Sequence, residues 1–265
     1  MTALEINGLS FSYRKNIPLL RNINLRLESG QLYALLGPNG GGKTTLLRQI
    51  LFPLRKTAGS IRLFGKPLEA YTPRERGMTL GYVPQRLPLP DISVRRLVLM
   101  GRYPYARGTR FVSRAEDWSL AEAIMEQMGL LGLADNSLQQ LSGGEAQRAY
   151  IAHALCKGAQ LYILDEPMSA LDPQRQTELL QTLRELAKTG AAVIFTTHDP
   201  NHALALPEVR IAKQALLLPS EQFNYRYGKA LLQGTGREEA EDIRLLHFAG
   251  EAAPYKPWDF LLEEN

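Results

Sequence analysis

Residues 31–44 read QLYALLGPNGGGKT: an apolar run, then a glycine-rich loop in which Gly37 to Thr44 fit G-x-x-x-x-G-K-[ST]. That order constrains the fold more than any other feature of the chain. A continuous apolar run suits a strand buried on both faces of a parallel sheet, and the loop must open a helix near Lys43. Glycines let backbone N–H groups turn inward around a polyphosphate, and the helix N-terminus adds the positive end of its dipole. The expected phosphate cradle is Gly37, Pro38, Asn39, Gly40, Gly41, Gly42, Lys43, Thr44 and Thr45. Lys43 would bridge the β- and γ-phosphates, and the Thr44 hydroxyl would ligate Mg2+.

Such a site also needs a carboxylate at the end of a neighbouring buried strand. LYILDEP (161–167) supplies Asp165, expected to hold Mg2+ through water, and Glu166, expected to act on the attacking water as general base or positioner. AAVIFTTH (191–198) reads as a further buried strand, with a helix over 173–189 between the two.

The flanking segments have other periods. Leu4 and Ile6, then Ile23, Leu25 and Leu27, alternate as half-buried strands of a small sheet do. GSIRLFG (59–65) and TLGYVPQ (79–85) read as strands, and Pro53 should end the helix that begins near Lys43. From about 90 to 158 the texture is helical, with Trp118, Ala121, Ile124, Met125 and Met128 on one stripe that predicts core packing. Residues 215–227 read as a hairpin turning at Pro219-Ser220. The fold class is α/β, a P-loop NTPase (RecA-like) core with a small antiparallel β-subdomain and an inserted α-helical subdomain.

Composition bounds the alternatives. At 265 residues the chain is one large unit or a core with a small subdomain. Its single cysteine, Cys156, excludes an intrachain disulfide and fits a reducing compartment. No apolar run approaches the ~20 residues of a membrane span, and MTALEINGLSF lacks the pattern of a signal peptide. The net charge of +4 hides a balance of +8 over 1–215 and −4 over 216–265. Residues 86–114 hold seven arginines (Arg86, Arg95, Arg96, Arg102, Arg107, Arg110, Arg114) against one acid, Asp91. No aromatic platform for base stacking accompanies them, so nucleic acid is not expected as a partner.

LSGGEAQR (Leu141–Arg148) precedes the Asp165–Glu166 pair, and it resembles the signature motif of ATP-binding-cassette ATPases. Other pieces match that family in order: Tyr13 where an aromatic ring stacks on adenine, Gln85 in the Q-loop, Ser169–Asp172 (SALD) as the D-loop and His198 as the switch histidine. The resemblance implies a head-to-tail homodimer in which Ser142, Gly143, Gly144 and Asp172 of one chain meet the ATP held by the other. It implies catalysis by Glu166, His198 and Gln85, with Mg2+ held by Thr44, Gln85 and Asp165. It places one ATPase domain at 1–235 (core about 1–88 and 159–235, helical subdomain about 89–158) and a C-terminal helix and tail at 236–265. Glu145 stands where glutamine is usual and Met168 where threonine is frequent, and the stretch VRIAKQALLLPSEQFNYRYG departs from the family pattern.

A free-standing cassette with no fused spans and no second cassette resembles an importer subunit at the cytoplasmic face of the plasma membrane. Its partners would be integral membrane permease subunits and, indirectly, a periplasmic or extracellular substrate-binding protein. RLVLMGRYPYARG (96–108) resembles the metal-chelate importers for iron–siderophore, haem, cobalamin, or molybdate and tungstate, and FTTHDPNHA lies nearer the molybdate-like branch. The arginine-rich stretch would then face the permease or anionic headgroups. The rival from another class is a cassette ATPase acting on nucleic acid or ribosomes. A P-loop kinase or GTPase is disfavoured, since no guanine-recognition motif of the NKxD type is present.

Overall fold

The computed structural model describes residues 1–13, 19–36, 42–52, 58–106 and 114–198, with short strands at 210–211, 216–218 and 245–247. The alternating N-terminal segment forms β1 (Thr2–Phe11) and β2 (Leu20–Glu28), paired antiparallel, with Leu4, Ile6, Ile23 and Leu27 buried and Asn7 and Arg26 in water. After β3 (Leu32–Leu36) and α1 (Lys43–Leu51) the chain returns to this sheet as β4 (Ala58–Leu63) and β5 (Lys66–Pro67), giving the order β2-β1-β4-β5. The two backbones nearly touch at Gly59 (φ +91°), where a Cβ would stand 2.5 Å from the Gly8 backbone.

The second sheet contains β3 and β6 (Leu80–Val83), then β7 (Leu161–Leu164), β8 (Ala192–Thr197) and β9 (Arg210–Ile211), in the order β6-β7-β8-β3-β9 and parallel throughout. Its apolar runs are buried on both faces, as parallel strands require. Ala192 and Ile194 of β8 pack with Leu46, Leu47 and Ile50 of α1 between the two sheets, while Val193 and Phe195 face the opposite core. The phosphate-loop helix is thus clamped between sheets. It ends at Leu51 with Phe52 extended, and Pro53 lies outside the described residues.

Helix α2 (Pro73–Thr79) precedes β6, and among the described residues three α-helices lie between β6 and β7: α3 (Val94–Met100), α4 (Ala115–Gln127) and α5 (Gly143–Cys156). Val94, Leu97, Ala121, Met125, Ala149 and Ile151 form their shared core. The stripe on α4 is buried from Ala121 to Met128, but Trp118 is 38% exposed. Its place in the first turn leaves one side of a ring too large to bury readily in water. Helix α6 (Pro173–Lys188) then covers the same face of the sheet as α5 through Leu179, Leu180 and Leu183.

The end of α5 is gripped by the turn at 102–105. Arg102 Nη1 donates to the Cys156 carbonyl at 3.2 Å, its guanidinium lies 4.0 Å from the Tyr105 ring, and Tyr105 Oη donates to the Lys157 carbonyl at 2.9 Å. From the core side, Arg74 of α2 donates to the carbonyls of Pro104 (3.0 Å) and Ala106 (2.6 Å).

The C-terminal segment is described only at short strands. β10 (Leu216–Leu218), within the hairpin expected over 215–227, pairs in parallel with β11 (Leu245–His247), and residues 219–227 lie outside the described residues. Both are short leucine-rich runs that satisfy each other's backbone. The strand at 245–247 falls within the 236–265 segment expected as a helix and tail; the rest of that segment and the Pro219-Ser220 turn lie outside the described residues.

Candidate active site

Three adjacent parallel strands deliver the candidate residues to one edge. β3 leads to α1, β7 ends at Asp165 and Glu166, and β8, lying between them, ends at His198. Ligands of open parallel sheets bind at such carboxyl ends.

Gly42 adopts φ +86° and precedes α1 without any side-chain cap bond, and no acid stands in the first turn. A helix end with no side-chain cap and no acid in its first turn is the kind of terminus that suits an anion. Residues Gly37, Pro38, Asn39, Gly40 and Gly41 lie outside the described residues. Lys43 is 4% exposed, and its Nζ lies 3.3 Å from Glu166 Oε1. Burial pushes the Lys43 ammonium below the ordinary lysine range, opposed by the charges of Glu166 and Asp165. Thr44 is half-buried and Thr45 buried, with Thr45 Oγ1 3.4 Å from Tyr13 Oη. Tyr13 itself is exposed and meets Phe11 edge to face at 4.8 Å.

Asp165 is fully buried. Its Oδ1 accepts from Thr196 Oγ1 at 2.7 Å, while Oδ2 is buried with no hydrogen-bond partner. Glu166 sits at φ +49°, a left-handed conformation rare for a residue with a side chain. Its N–H donates to Thr196 Oγ1 at 2.8 Å, and its Oε2 lies 3.5 Å from His198 Nδ1. Lys43, Glu166 and His198 thus form a row, and Glu166, Ser169, Gln176, Thr197 and His198 line an adjoining cavity of about 180 Å³. At ~30 Å³ per water, that space holds several.

Other predicted residues stand apart. Gln85 is exposed two residues beyond β6. Ser142 is the N-cap of α5: its N–H and Oγ both donate to Glu145 Oε2 at 2.8 Å, and its Oγ accepts from the Glu145 N–H at 3.4 Å. Those bonds hold the Glu145 carboxyl below the usual carboxylate range. Ser142 and Gly143 are exposed, and Gly144 packs beside Ala170 and Leu171. Asp172 caps α6 by accepting from the Arg175 N–H at 2.9 Å, and Gln176 Nε2 ties down the Met168 and Leu171 carbonyls.

The sequence profile described as ABC transporter matches residues 20–169. The chain belongs to the ABC transporter family. As such it is an ATP-binding, ATP-hydrolysing cassette. It is 39% identical over 209 residues to the hemin import ATP-binding protein HmuV of Pseudomonas entomophila, covering 76% of this chain and 78% of that one. It is 34% identical over 205 residues to the manganese transport system ATP-binding protein MntB of Bacillus subtilis, covering 75% and 78%. Among solved structures it resembles an inward-facing transporter assigned to the metal-chelate type (34% identity, TM-score 0.67, covering 80% and 78%). A dimeric ATP-binding cassette in a post-hydrolysis state with ADP and phosphate gives 26% identity and TM-score 0.69, covering 76% and 90%. Among the described residues no helix of this ABC cassette is long and apolar enough to cross a membrane.

Two arginines of the basic stretch pair with acids inside this cassette. Arg95 pairs with Glu122 (2.8 Å) and Asp135 (3.1 Å), and Arg102 pairs with Asp117 (2.8 Å). Arg86, Arg96 and Arg114 are exposed, and Arg107 and Arg110 lie outside the described residues. Thr196 and Gln176 were not singled out in the sequence; the available signal was a hydroxyl inside an otherwise apolar buried strand.

Proposed function

We propose that this chain energises import of a metal ion or metal chelate through a separate membrane permease, working as a head-to-tail pair of identical subunits at the cytoplasmic face of the plasma membrane. The observation that carries the hydrolytic part is the Lys43–Glu166–His198 row beside a cavity roomy enough for water. Relatives named for manganese, hemin and iron(3+)-hydroxamate support the cargo class.

In the free subunit the Lys43 ammonium is balanced by Glu166. Incoming β- and γ-phosphates compete for that ammonium, which leaves the Glu166 carboxylate beside His198 and the cavity. Glu166 then takes the proton of a water whose oxygen bonds to the γ-phosphorus as the bond from that phosphorus to the β–γ bridging oxygen breaks, so that ADP and phosphate leave, and His198 keeps the carboxylate aimed. Tyr13 offers its exposed ring to adenine. Ser142, with the α5 N–H groups of Gly143 and Gly144, meets the γ-phosphate held by Lys43 of the opposite subunit, and Asp172 lies on the same face.

A divalent cation such as Mg2+ fits the oxygen donors present, because Asp165 Oδ2 is buried and unpartnered and the Thr44 hydroxyl stands in the first turn of α1. Among the described residues no three His, Cys, Asp or Glu side chains converge as a cage; Mg2+ at nucleotide sites relies on one or two carboxylates plus phosphate oxygens. When bound it neutralises phosphate charge. Gln85 leads into the segment holding exposed Arg86, Leu89 and Arg96, which serves as the permease docking surface.

The test is affinity purification from solubilised membranes, followed by ATPase assays of the recovered complex in liposomes. The expected result is an integral membrane permease, with turnover raised by a substrate-binding protein carrying manganese, haem or a ferric hydroxamate. Recovery with ribosomes or nucleic acid and no permease would overturn the proposal.

A further inference from the structure

One buried hydroxyl holds both acids of the site. Thr196 Oγ1 gives its single proton to Asp165 Oδ1 at 2.7 Å and accepts the Glu166 N–H at 2.8 Å. Thr196 and Asp165 are wholly buried, so neither can substitute water for the missing partner. The parallel register of β7 and β8 pairs Leu164 with Phe195, which brings Thr196 opposite the point where β7 ends.

Two consequences follow from the direction of these bonds. With Oδ1 occupied, Asp165 is left with Oδ2 as its open acceptor, and Oδ2 is the atom that lacks a partner. The bond to the Glu166 N–H holds that residue at φ +49°, and this backbone turn sends its carboxylate between Lys43 and His198. A strained conformation of this kind persists only where its surroundings over-determine it. A valine has nearly the same shape but would leave one buried donor and one buried acceptor unpaired.

We propose that Thr196 is a positioning residue that divides the labour of the two carboxylates, fixing Asp165 toward the metal-bound nucleotide and Glu166 toward the attacking water. The inference rests on the roles given to Asp165 and Glu166 above. It is tested with Thr196→Val, Thr196→Ala and Thr196→Ser in the full chain, beside Glu166→Gln. The readouts are steady-state turnover and ATP affinity measured with Mg2+ and with EDTA.

Thr196→Val and Thr196→Ala should lose 10- to 100-fold in turnover. They should also lose most of the gain in ATP affinity that Mg2+ confers, with affinity in EDTA unchanged. Thr196→Ser should recover both to within threefold. The Ser–Ala pair decides the matter if the valine variant does not fold. Equal losses in Ser and Ala, or an equal loss of affinity in EDTA, would mean the side chain only fills space. Unchanged turnover in Glu166→Gln would overturn the underlying assignment instead, whatever Thr196 does.

Discussion

Lys43 Nζ and Glu166 Oε1 stand 3.3 Å apart with both side chains almost shut off from water. Each is the other's counter-charge until a phosphate arrives, and removing one partner of a buried pair leaves the other uncompensated. Glu166→Gln keeps the size and hydrogen-bonding reach of the side chain but cannot take a proton. Turnover should fall 10²- to 10⁴-fold, as is typical for a lost general base, while ATP binding persists. Size-exclusion chromatography with ATP and Mg2+ should show a trapped dimer; a monomer hydrolysing at the wild-type rate would remove Glu166 from the mechanism.

In the proposed head-to-tail pair Lys43 and Ser142 would reach one nucleotide from different chains, so defects in them should complement. Lys43→Ala should abolish ATP binding, whereas Ser142→Arg should bind ATP and not turn it over. Mixing the two should restore one working site per heterodimer and raise activity above either variant alone. ATP-dependent dimerisation, followed in the same samples, separates failed assembly from failed chemistry.

The Glu145 carboxylate takes both the N–H and the hydroxyl proton of Ser142. That hydroxyl is the group expected to meet a γ-phosphate, so a charged competitor already holds it. Glu145→Gln preserves the capping pair and removes the charge. A charge at a helix end is worth about 0.3–1 kcal/mol, so the ATP-dependent dimer should tighten roughly two- to fivefold. Analytical ultracentrifugation of Glu145→Gln in the Glu166→Gln background measures it, and an unchanged or weaker dimer would remove the competitor role.

Arg95 and Arg96 are neighbours with different duties. Arg95→Glu would set three carboxylates together with Glu122 and Asp135. It should cost about 1 kcal/mol, since each exposed pair is worth about 0.2–1 kcal/mol, and lower the melting temperature by about 2–4 °C. Arg96→Glu should leave melting unchanged and weaken permease recovery in the pull-down. A melting loss in Arg96→Glu, with recovery intact, would remove it from the docking surface.

Burial pushes the Cys156 thiol up to about 11. At pH 8 roughly one thiol in a thousand is ionised, and the thiolate is the reactive form. Native protein should resist a thiol reagent that labels it fully in denaturant, with labelling rising steeply above pH 10. Rapid stoichiometric labelling at pH 8 would contradict the burial.

What could be read in advance was what neighbouring residues decide among themselves. The run before Gly37, the acids after LYIL and the histidine after AAVIFTT each announce a buried strand and its functional end within ten residues. The role of Thr196 could not be read this way, because it depends on the pairing of β7 with β8. The pairing of Arg95 and Arg102 could not be read for a similar reason: the acids that engage them lie 15 to 40 residues further along. The pairing of Leu216–Leu218 with Leu245–His247 could not be read either, because the two runs stand nearly 30 residues apart.

Helix α5 carries Ser142 at one end and is held by Arg102 and Tyr105 at the other. Its fourteen residues make a rod about 21 Å long. A rod fixed by charged and hydrogen-bonded contacts at its base does not bend to absorb displacement; it tilts. A shift of 2 Å at the 102–105 turn would therefore appear at Ser142 as a movement of comparable size or larger. That is enough to make or break a hydrogen bond whose tolerance is about half an ångström. In mechanical terms α5 is a strut that joins the turn tied down by Arg74 to the end where a second subunit's phosphate would lie on the proposed reading.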